Sequence, residues 1–184
     1  MRIAVTGTHG SGKTTLIDDF VSSHADYESV PEPYWLLAQN GMPFSDGPTV
    51  ADLEEQLRQS CKLILDETRG RNVIFDRSPL DFLAYLDVVS AGEGFEWLPD
   101  GRLLSRIGRA LASLDLVVFV PLTQPDEIAV AIEYPQLRSR VDTRLKAMLR
   151  DDDLGLLERG PRVVQVSGSR EERVLRVAAV PGGV

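Results

Sequence analysis

Gly7-Thr8-His9-Gly10-Ser11-Gly12-Lys13-Thr14 satisfies G-x-x-x-x-G-K-[ST] at every fixed position. Glycines at this spacing let the backbone turn its N–H groups inward around an anion. A helix starting at the end of the loop adds the positive partial charge of its N-terminus. Lys13 is then within reach of the β- and γ-phosphates of a polyphosphate, and the Thr14 hydroxyl is a ligand for Mg²⁺. The expected phosphate-binding set is Gly7, His9, Gly10, Ser11, Gly12, Lys13, Thr14 and Thr15. Its surroundings fit. Arg2-Ile3-Ala4-Val5-Thr6 reads as a short buried strand, and the apolar residues at 16, 17, 20 and 21 read as a helix.

Three further groups could do chemistry. Asp76-Arg77 closes the apolar run Asn72-Val73-Ile74-Phe75, and strand carboxyl ends border the ligand crevice of an open α/β sheet. Asp76 could share Mg²⁺ with Thr14, and Arg77 could fork onto a phosphate or a substrate. From spacing alone, a strand-end salt bridge reads equally well. Glu32 stands between Pro31 and Pro33, which stiffen the chain and disfavour helix before each ring. A carboxylate held there could take a proton from a substrate hydroxyl, although an exposed loop glutamate would look the same. Tyr34 and Trp35 could stack on a planar ring or belong to the core. Arg138, Arg140 and Arg144 share a segment whose Val141, Leu145, Met148 and Leu149 give it an apolar side. Guanidiniums closing over a transferring phosphoryl group would stabilise its charge; a solvated helix face is the plainer alternative.

To hold these groups together the chain must gather several loop ends. Strand-like runs at 2–6, 27–31, 72–76, 115–120 and 162–167 alternate with helical patterns. The alternation predicts an α/β fold, a five-stranded mostly parallel sheet with helices on both faces. Residues 49–68 form the clearest helix: Thr49 and Asp52 cap it, Leu53, Leu57, Cys61 and Ile64 or Leu65 make its stripe, and Gly70 ends it. Pro79 opens the next helix, and Ser169 with Glu172 caps the last. Residues 40–48 and 91–101 read as loops, and the final four residues as a frayed end.

A chain of 184 residues supports one domain with a real core, here expected over 1–180. A net charge of −8 argues against a nucleic-acid polymer or an anionic membrane as partner. No apolar run approaches the roughly 18 residues of a membrane span. Met1 leads directly into the first strand, so no secretory leader is expected. The single Cys61 excludes an internal disulfide and fits a reducing cytoplasm; on its apolar stripe it reads as a small core residue.

The motifs at 7–15, 30–35 (Val-Pro-Glu-Pro-Tyr-Trp) and 76–81 (Asp-Arg-Ser-Pro-Leu-Asp) follow one another in a fixed order. Together they resemble the deoxynucleoside kinases, particularly the herpesvirus thymidine kinases, and the Asp-Arg element is similar to that of thymidylate kinases. The tail also resembles compact bacterial ATPase-type P-loop proteins related to nicotinamide riboside kinases. The resemblance implies a P-loop NTPase three-layer sandwich, ATP and Mg²⁺ as cofactors, and a small-molecule acceptor hydroxyl. It assigns Glu32 as general base and sets Arg77 against the base and reacting oxygen. It also implies a lid near 133–150 carrying Arg138 and Arg140, which with Lys13 complete the catalytic set. Gln56 and Gln59 are the candidates for the glutamine that reads the base in those enzymes. The acceptor stays open between a nucleoside, nicotinamide riboside, a nucleoside monophosphate and an antibiotic hydroxyl. A non-catalytic ATP sensor would lack the base or the lid. A GTPase switch would need an Asn/Thr-Lys-x-Asp element, which is not in the sequence. An AAA-type motor would need an added helical domain. A homodimer stays open.

Overall fold

The computed structural model describes residues 1–45, 47–66, 68, 70–123 and 133–181. The expected fraying of the last residues lies, for 182–184, outside the described residues. In chain order the elements are β1 (Arg2–Thr6), α1 (Lys13–Ser23), β2 (Glu28–Val30), α2 (Pro33–Gln39), α3 (Val50–Ile64) and β3 (Val73–Asp76). There follow α4 (Pro79–Gly92), α5 (Gly101–Ala112), β4 (Leu116–Phe119), α6 (Pro135–Asp151), β5 (Arg162–Gln165) and α7 (Arg170–Ala178). The strands form one sheet in the order β2-β3-β1-β4-β5. Every neighbouring pair is parallel, so the sheet is wholly rather than mostly parallel.

Alternate residues on a strand face opposite sides, and both faces of this sheet are apolar. Ile3, Val5, Ile74, Leu116 and Val118 meet Leu16, Ile17 and Phe20 of α1 and Val177 of α7. Ala4, Val73, Phe75, Val117 and Phe119 belong to the larger core built from α3 to α6. The helix α4 is central to that core. Leu80, Phe82, Leu83, Leu86 and Val88 are all buried, and a helix apolar on every side must be enclosed.

Capping sets the helix starts. Thr49 Oγ1 accepts the Asp52 N–H at 3.2 Å, and Ser78 with Asp81 forms a capping box ahead of Pro79. Ser169 and Glu172 do the same for α7. Three boundaries depart from the sequence pattern. The helix α3 ends at Ile64, short of 68. The helix α2 is absent from the sequence pattern: Glu32 stays extended, as a residue before proline should, and Pro33 then begins a helix in the position proline favours. The helix α5 was also missed. It starts at the edge of the expected 91–101 loop, where Asp100 Oδ1 accepts the Arg102 and Leu103 N–H groups, both at 2.8 Å.

Leu57 is fully enclosed in the larger core. Leu57→Ala should lower unfolding free energy by about 2–5 kcal/mol, the usual cost of such a cavity, measured by denaturant titration. A loss under about 1 kcal/mol would mean that the α3 seam is not close-packed.

Candidate active site

The parallel register gathers the site. Val5 pairs with Asp76, and Val30 pairs with Phe75. The loop after β1, Asp76-Arg77 at the end of β3, and Glu32 just past β2 therefore emerge side by side at one sheet edge.

The glycine loop is shaped by close approach. A Cβ on Gly7 would lie 2.5 Å from the Val120 carbonyl oxygen, and Gly12 sits at φ 91° as the residue before α1. The Gly7 N–H donates to Asp81 Oδ1 at 2.9 Å, and the His9 N–H donates to the Tyr85 hydroxyl at 3.0 Å. Thr6 Oγ1 donates to Ser78 Oγ at 2.6 Å. The loop is thus fastened to the start of α4. Lys13 is buried, and its ammonium donates to the Thr8 carbonyl at 2.9 Å. Burial, joined by the charge of Arg77, pulls its pKa down to about 8. Ser11 Oγ is buried without a hydrogen-bond partner among the described residues.

Thr14 Oγ1 donates to Asp76 Oδ2 at 2.8 Å. Asp76 Oδ1 is buried and has no hydrogen-bond partner among the described residues. Burial pushes the Asp76 carboxyl above its usual value against the opposing charges of Lys13 and Arg77. A hydroxyl beside a carboxylate oxygen that lacks a donor is an oxygen set suited to a hard divalent cation. No cluster of three His, Cys, Asp or Glu side chains among the described residues could hold a metal unaided. A cation at Thr14 and Asp76 would need further oxygens from a substrate or water, as Mg²⁺ sites commonly do.

Arg77 joins this edge to a cavity. Its φ is 82°, a conformation that a side chain with a Cβ seldom adopts. The strain is held by its N–H donating to the Val5 carbonyl at 3.0 Å and by its guanidinium contacts. Nε donates to Glu32 Oε2 at 2.6 Å. The guanidinium lies 5.9 Å from the Phe82 ring centre and 5.6 Å from that of Tyr85. Nη1 stands 3.6 Å from Asp81 Oδ1 and has no hydrogen-bond partner among the described residues. Burial opposes the Arg77 charge, but Glu32, Tyr85, Asp81 and Asp76 outweigh it and raise its pKa. For Glu32 the largest influence, burial, would raise the carboxyl, yet the charge and hydrogen bond of Arg77 with Lys13 and His9 bring it below its usual value.

Glu32 and Arg77 face a cavity of about 630 Å³ that also touches His9 of the glycine loop. Tyr34 and Phe44, with ring centres 4.6 Å apart, form one wall. Tyr134, at the start of α6, stands over Gly47, where a Cβ would come 3.2 Å from its hydroxyl. His9 bridges the parts: Nδ1 meets the Tyr85 hydroxyl and Nε2 the Glu133 carbonyl, each at 2.7 Å. Burial, aided by Arg77, Lys13 and Arg138, lowers the His9 pKa despite the bond to Glu133.

The structure brings Glu32, Asp76, Arg77, Lys13, Thr14 and Arg138 together. Arg138 is buried, with Nε donating to the His9 carbonyl and Nη2 to the Gly10 carbonyl, both at 2.9 Å. It does not bring Arg140 to them. That residue is exposed and lines a separate groove with Val88, Val89 and Gly92. Arg144 pairs with Asp87 at 2.6 Å and Asp153 at 2.8 Å, away from the glycine loop. The expected arginine cluster therefore disperses, because helical spacing sends residues 138 and 140 in different directions. Gln56 lines the cavity whereas Gln59 does not; Tyr34 lines it whereas Trp35 is exposed.

The sequence pattern gives Asp81 and Tyr85 no role of their own. Their signal is a spacing of four residues on α4, and both side chains accept N–H groups of the glycine loop. Asp52 was read as a cap alone, yet it also lines the cavity.

The sheet order, the glycine loop and its lysine define the three-layer α/β sandwich of a P-loop NTPase. The AAA domain family matches residues 2–173, nearly the whole chain, and the protein belongs to that family. No curated protein matches the sequence. Among solved structures, the deoxyadenosine kinase from M. mycoides with bound dATP superposes with a TM-score of 0.65 at 15% identity over 97% of both chains. Thymidylate kinase from Candida albicans gives a TM-score of 0.58 at 17% identity over 96% of this chain and 88% of its own. The NadR protein in complex with NAD and AMP-PNP gives a TM-score of 0.64 at 18% identity over 96% of this chain. The chain spans about half of NadR, 48% of that protein. These similarities establish a kinase-like P-loop fold. No helix among the described residues is long and apolar enough to cross a membrane.

The depressed Lys13 pKa has a stability consequence. Between about pH 8 and its ordinary 10.5 the unfolded chain keeps a proton that the folded protein has lost, so stability from this group rises with pH across that window. Below about 8 the full burial cost applies, on the order of 3 kcal/mol for this shift. Without nucleotide, Lys13→Met should be more stable than wild type at pH 7, and the difference should shrink by pH 10.5. A difference independent of pH would show that Lys13 is not buried as a cation.

Proposed function

We propose that the protein is an ATP-dependent phosphotransferase that moves the γ-phosphoryl group to a hydroxyl of a nucleoside-like small molecule. One observation carries the reading: the Glu32 carboxylate faces a ring-sized cavity that also touches His9 of the glycine loop. The crystallisation of the deoxyadenosine kinase with dATP and of NadR with AMP-PNP supports a nucleotide on the glycine loop.

In this reading ATP lies along residues 7–15. Lys13 exchanges the Thr8 carbonyl for phosphate oxygens, which restores full value to its charge. Thr14 and Asp76 would hold Mg²⁺, which would neutralise charge on the phosphates. The acceptor enters the cavity. Arg77 occupies Glu32 Oε2 and leaves Oε1 for the acceptor hydroxyl, whose proton Glu32 takes as the oxygen attacks in line. Arg77 Nη1, a donor without a partner, meets the reacting oxygen or the acceptor. Arg138 fixes the loop through its carbonyls and stands one side-chain swing from the transferring group. Residues 133–150 serve as the lid, with Tyr134 closing over Gly47, and 1–180 work as a single unit. Arg140 is left outside the chemistry. The reaction belongs in the cytoplasm, where ATP is supplied and Cys61 stays reduced.

Glu32→Gln keeps the size of the side chain but cannot take the proton. It should leave ATP affinity unchanged and lower phosphoryl transfer by roughly 10²–10⁴-fold, scored with labelled ATP against a panel of nucleosides, nucleoside monophosphates and ribosides. Unchanged transfer would remove Glu32 as the base. Because the Glu32 carboxyl sits below its usual pKa, the acid limb of the wild-type rate profile should also fall below the ordinary carboxylate range. Asp76→Asn should weaken ATP binding in Mg²⁺ more than in chelator; equal losses would make Asp76 purely structural.

A further inference from the structure

The Arg138 guanidinium forks over two carbonyls of the glycine loop. Nε donates to the His9 carbonyl and Nη2 to the Gly10 carbonyl, both at 2.9 Å. A Cβ added to Gly10 would lie 3.6 Å from Nε, so the guanidinium rests directly against the loop. The helix that carries it is anchored. Val141 and Leu145 are fully buried, and Asp142 Oδ1 accepts the Leu122 N–H at 2.9 Å, just past β4. A second bond joins the start of α6 to the loop, between His9 Nε2 and the Glu133 carbonyl.

The direction of the two Arg138 bonds has a consequence for anion binding. A trans peptide points its carbonyl and the following N–H in opposite directions. Carbonyls 9 and 10, turned toward α6, therefore turn the N–H groups of Gly10 and Ser11 to the other side of the loop. That side holds the Lys13 ammonium: the Ser11 N–H and Lys13 Nζ meet on the Thr8 carbonyl, at 3.3 and 2.9 Å. The Gly10 N–H has no hydrogen-bond partner among the described residues. Gly10 allows this turn of the chain because its φ is 64°. Successive N–H groups aimed the same way form an anion-binding concavity. If Arg138 swung onto a phosphoryl group in transfer, it would release both carbonyls and free the two peptides to rotate.

We propose that Arg138 is a positioning residue for the phosphate chain. It stays on the His9 and Gly10 carbonyls in the loaded protein and so aims the Gly10 and Ser11 N–H groups at the β-phosphate that such a loop cradles. It acts on nucleotide binding, through the loop, and does not touch the group in transfer. The inference rests on the glycine loop holding a nucleotide and is independent of the acceptor.

Two nucleotides separate positioning from contact with the terminal group: ADP, which lacks that group, and AMP-PNP, which carries it without transferring it. Both are titrated by calorimetry with the same Mg²⁺ and no acceptor. Arg138→Ala should weaken both by about tenfold or more and to a similar extent, since the same N–H donors serve each. Arg138→Lys keeps the charge but cannot fork over two carbonyls, and should recover only part of the loss. Arg144→Ala, which unties α6 from Asp87 and Asp153, should leave both affinities as in the wild type. In turnover, Arg138→Ala should raise KM for ATP about as far as ADP affinity falls and change kcat by less than about threefold. Loss of AMP-PNP affinity alone, or a kcat loss of about a hundredfold with ADP binding intact, would put Arg138 on the terminal phosphate and overturn the proposal. Full recovery in Arg138→Lys would make charge sufficient, and an equal loss in Arg144→Ala would make helix packing sufficient; each overturns it. If circular dichroism shows that Arg138→Ala does not fold, Arg138→Lys carries the test: equal partial losses uphold the proposal and unchanged affinities overturn it. Equal losses with no wild-type transfer to any acceptor would uphold it while removing the kinase reading. Wild-type transfer with normal nucleotide affinity in Arg138→Ala would do the reverse, and failure of the wild type to bind either nucleotide would overturn both.

Discussion

The parallel register of β2, β3 and β1 is the constraint on which the site depends. It sets Val30 beside Phe75 and Asp76 beside Val5. Three loops with no sequence relation to one another therefore leave the sheet at the same level. A slip of one residue would turn every side chain to the opposite face, sending apolar groups of one core into the other and Asp76 away from Thr14. Burial on both faces makes the register expensive to change. Asp81 then ties the arrangement together, since one carboxylate accepts from Gly7 and from Ser78. The capping box that starts α4 is in this way also the anchor of the glycine loop.

Within that frame Arg77 and Lys13 are treated differently. Arg77 is surrounded by Glu32, Asp81 and two aromatic rings, and the surroundings strengthen its charge. Lys13 donates to the Thr8 carbonyl, and burial outweighs the charges of Asp76, Asp81 and Glu32 to weaken it. A cation kept short of partners is a receptor for anions, because a phosphate chain supplies what the fold withholds.

Similarity at 15–18% identity reaches the fold and stops there. Within that fold the site is built by this chain's own residues. Arg138 clasps the carbonyls of the glycine loop instead of standing free, and His9 links that loop through Tyr85 and Glu133 to the start of α6. Movement of α6 and the shape of the phosphate site are therefore mechanically joined.

The sequence alone determined the elements whose cause is local. The glycine loop was legible because backbone turns and anion geometry demand those residues at that spacing. The strands were legible from their apolar runs, and the starts of α3, α4 and α7 from their caps. The helix α2 escaped because Pro33 both forbids helix at Glu32 and begins one, and the proline signal alone does not decide between the two. Only tertiary structure decided that Glu32 meets Arg77 across 45 residues, that Arg138 reaches the glycine loop while Arg140 does not, and that Asp52 both starts a helix and lines a cavity. Those outcomes depend on which faces pack against which, a property of the whole fold rather than of any short stretch of chain.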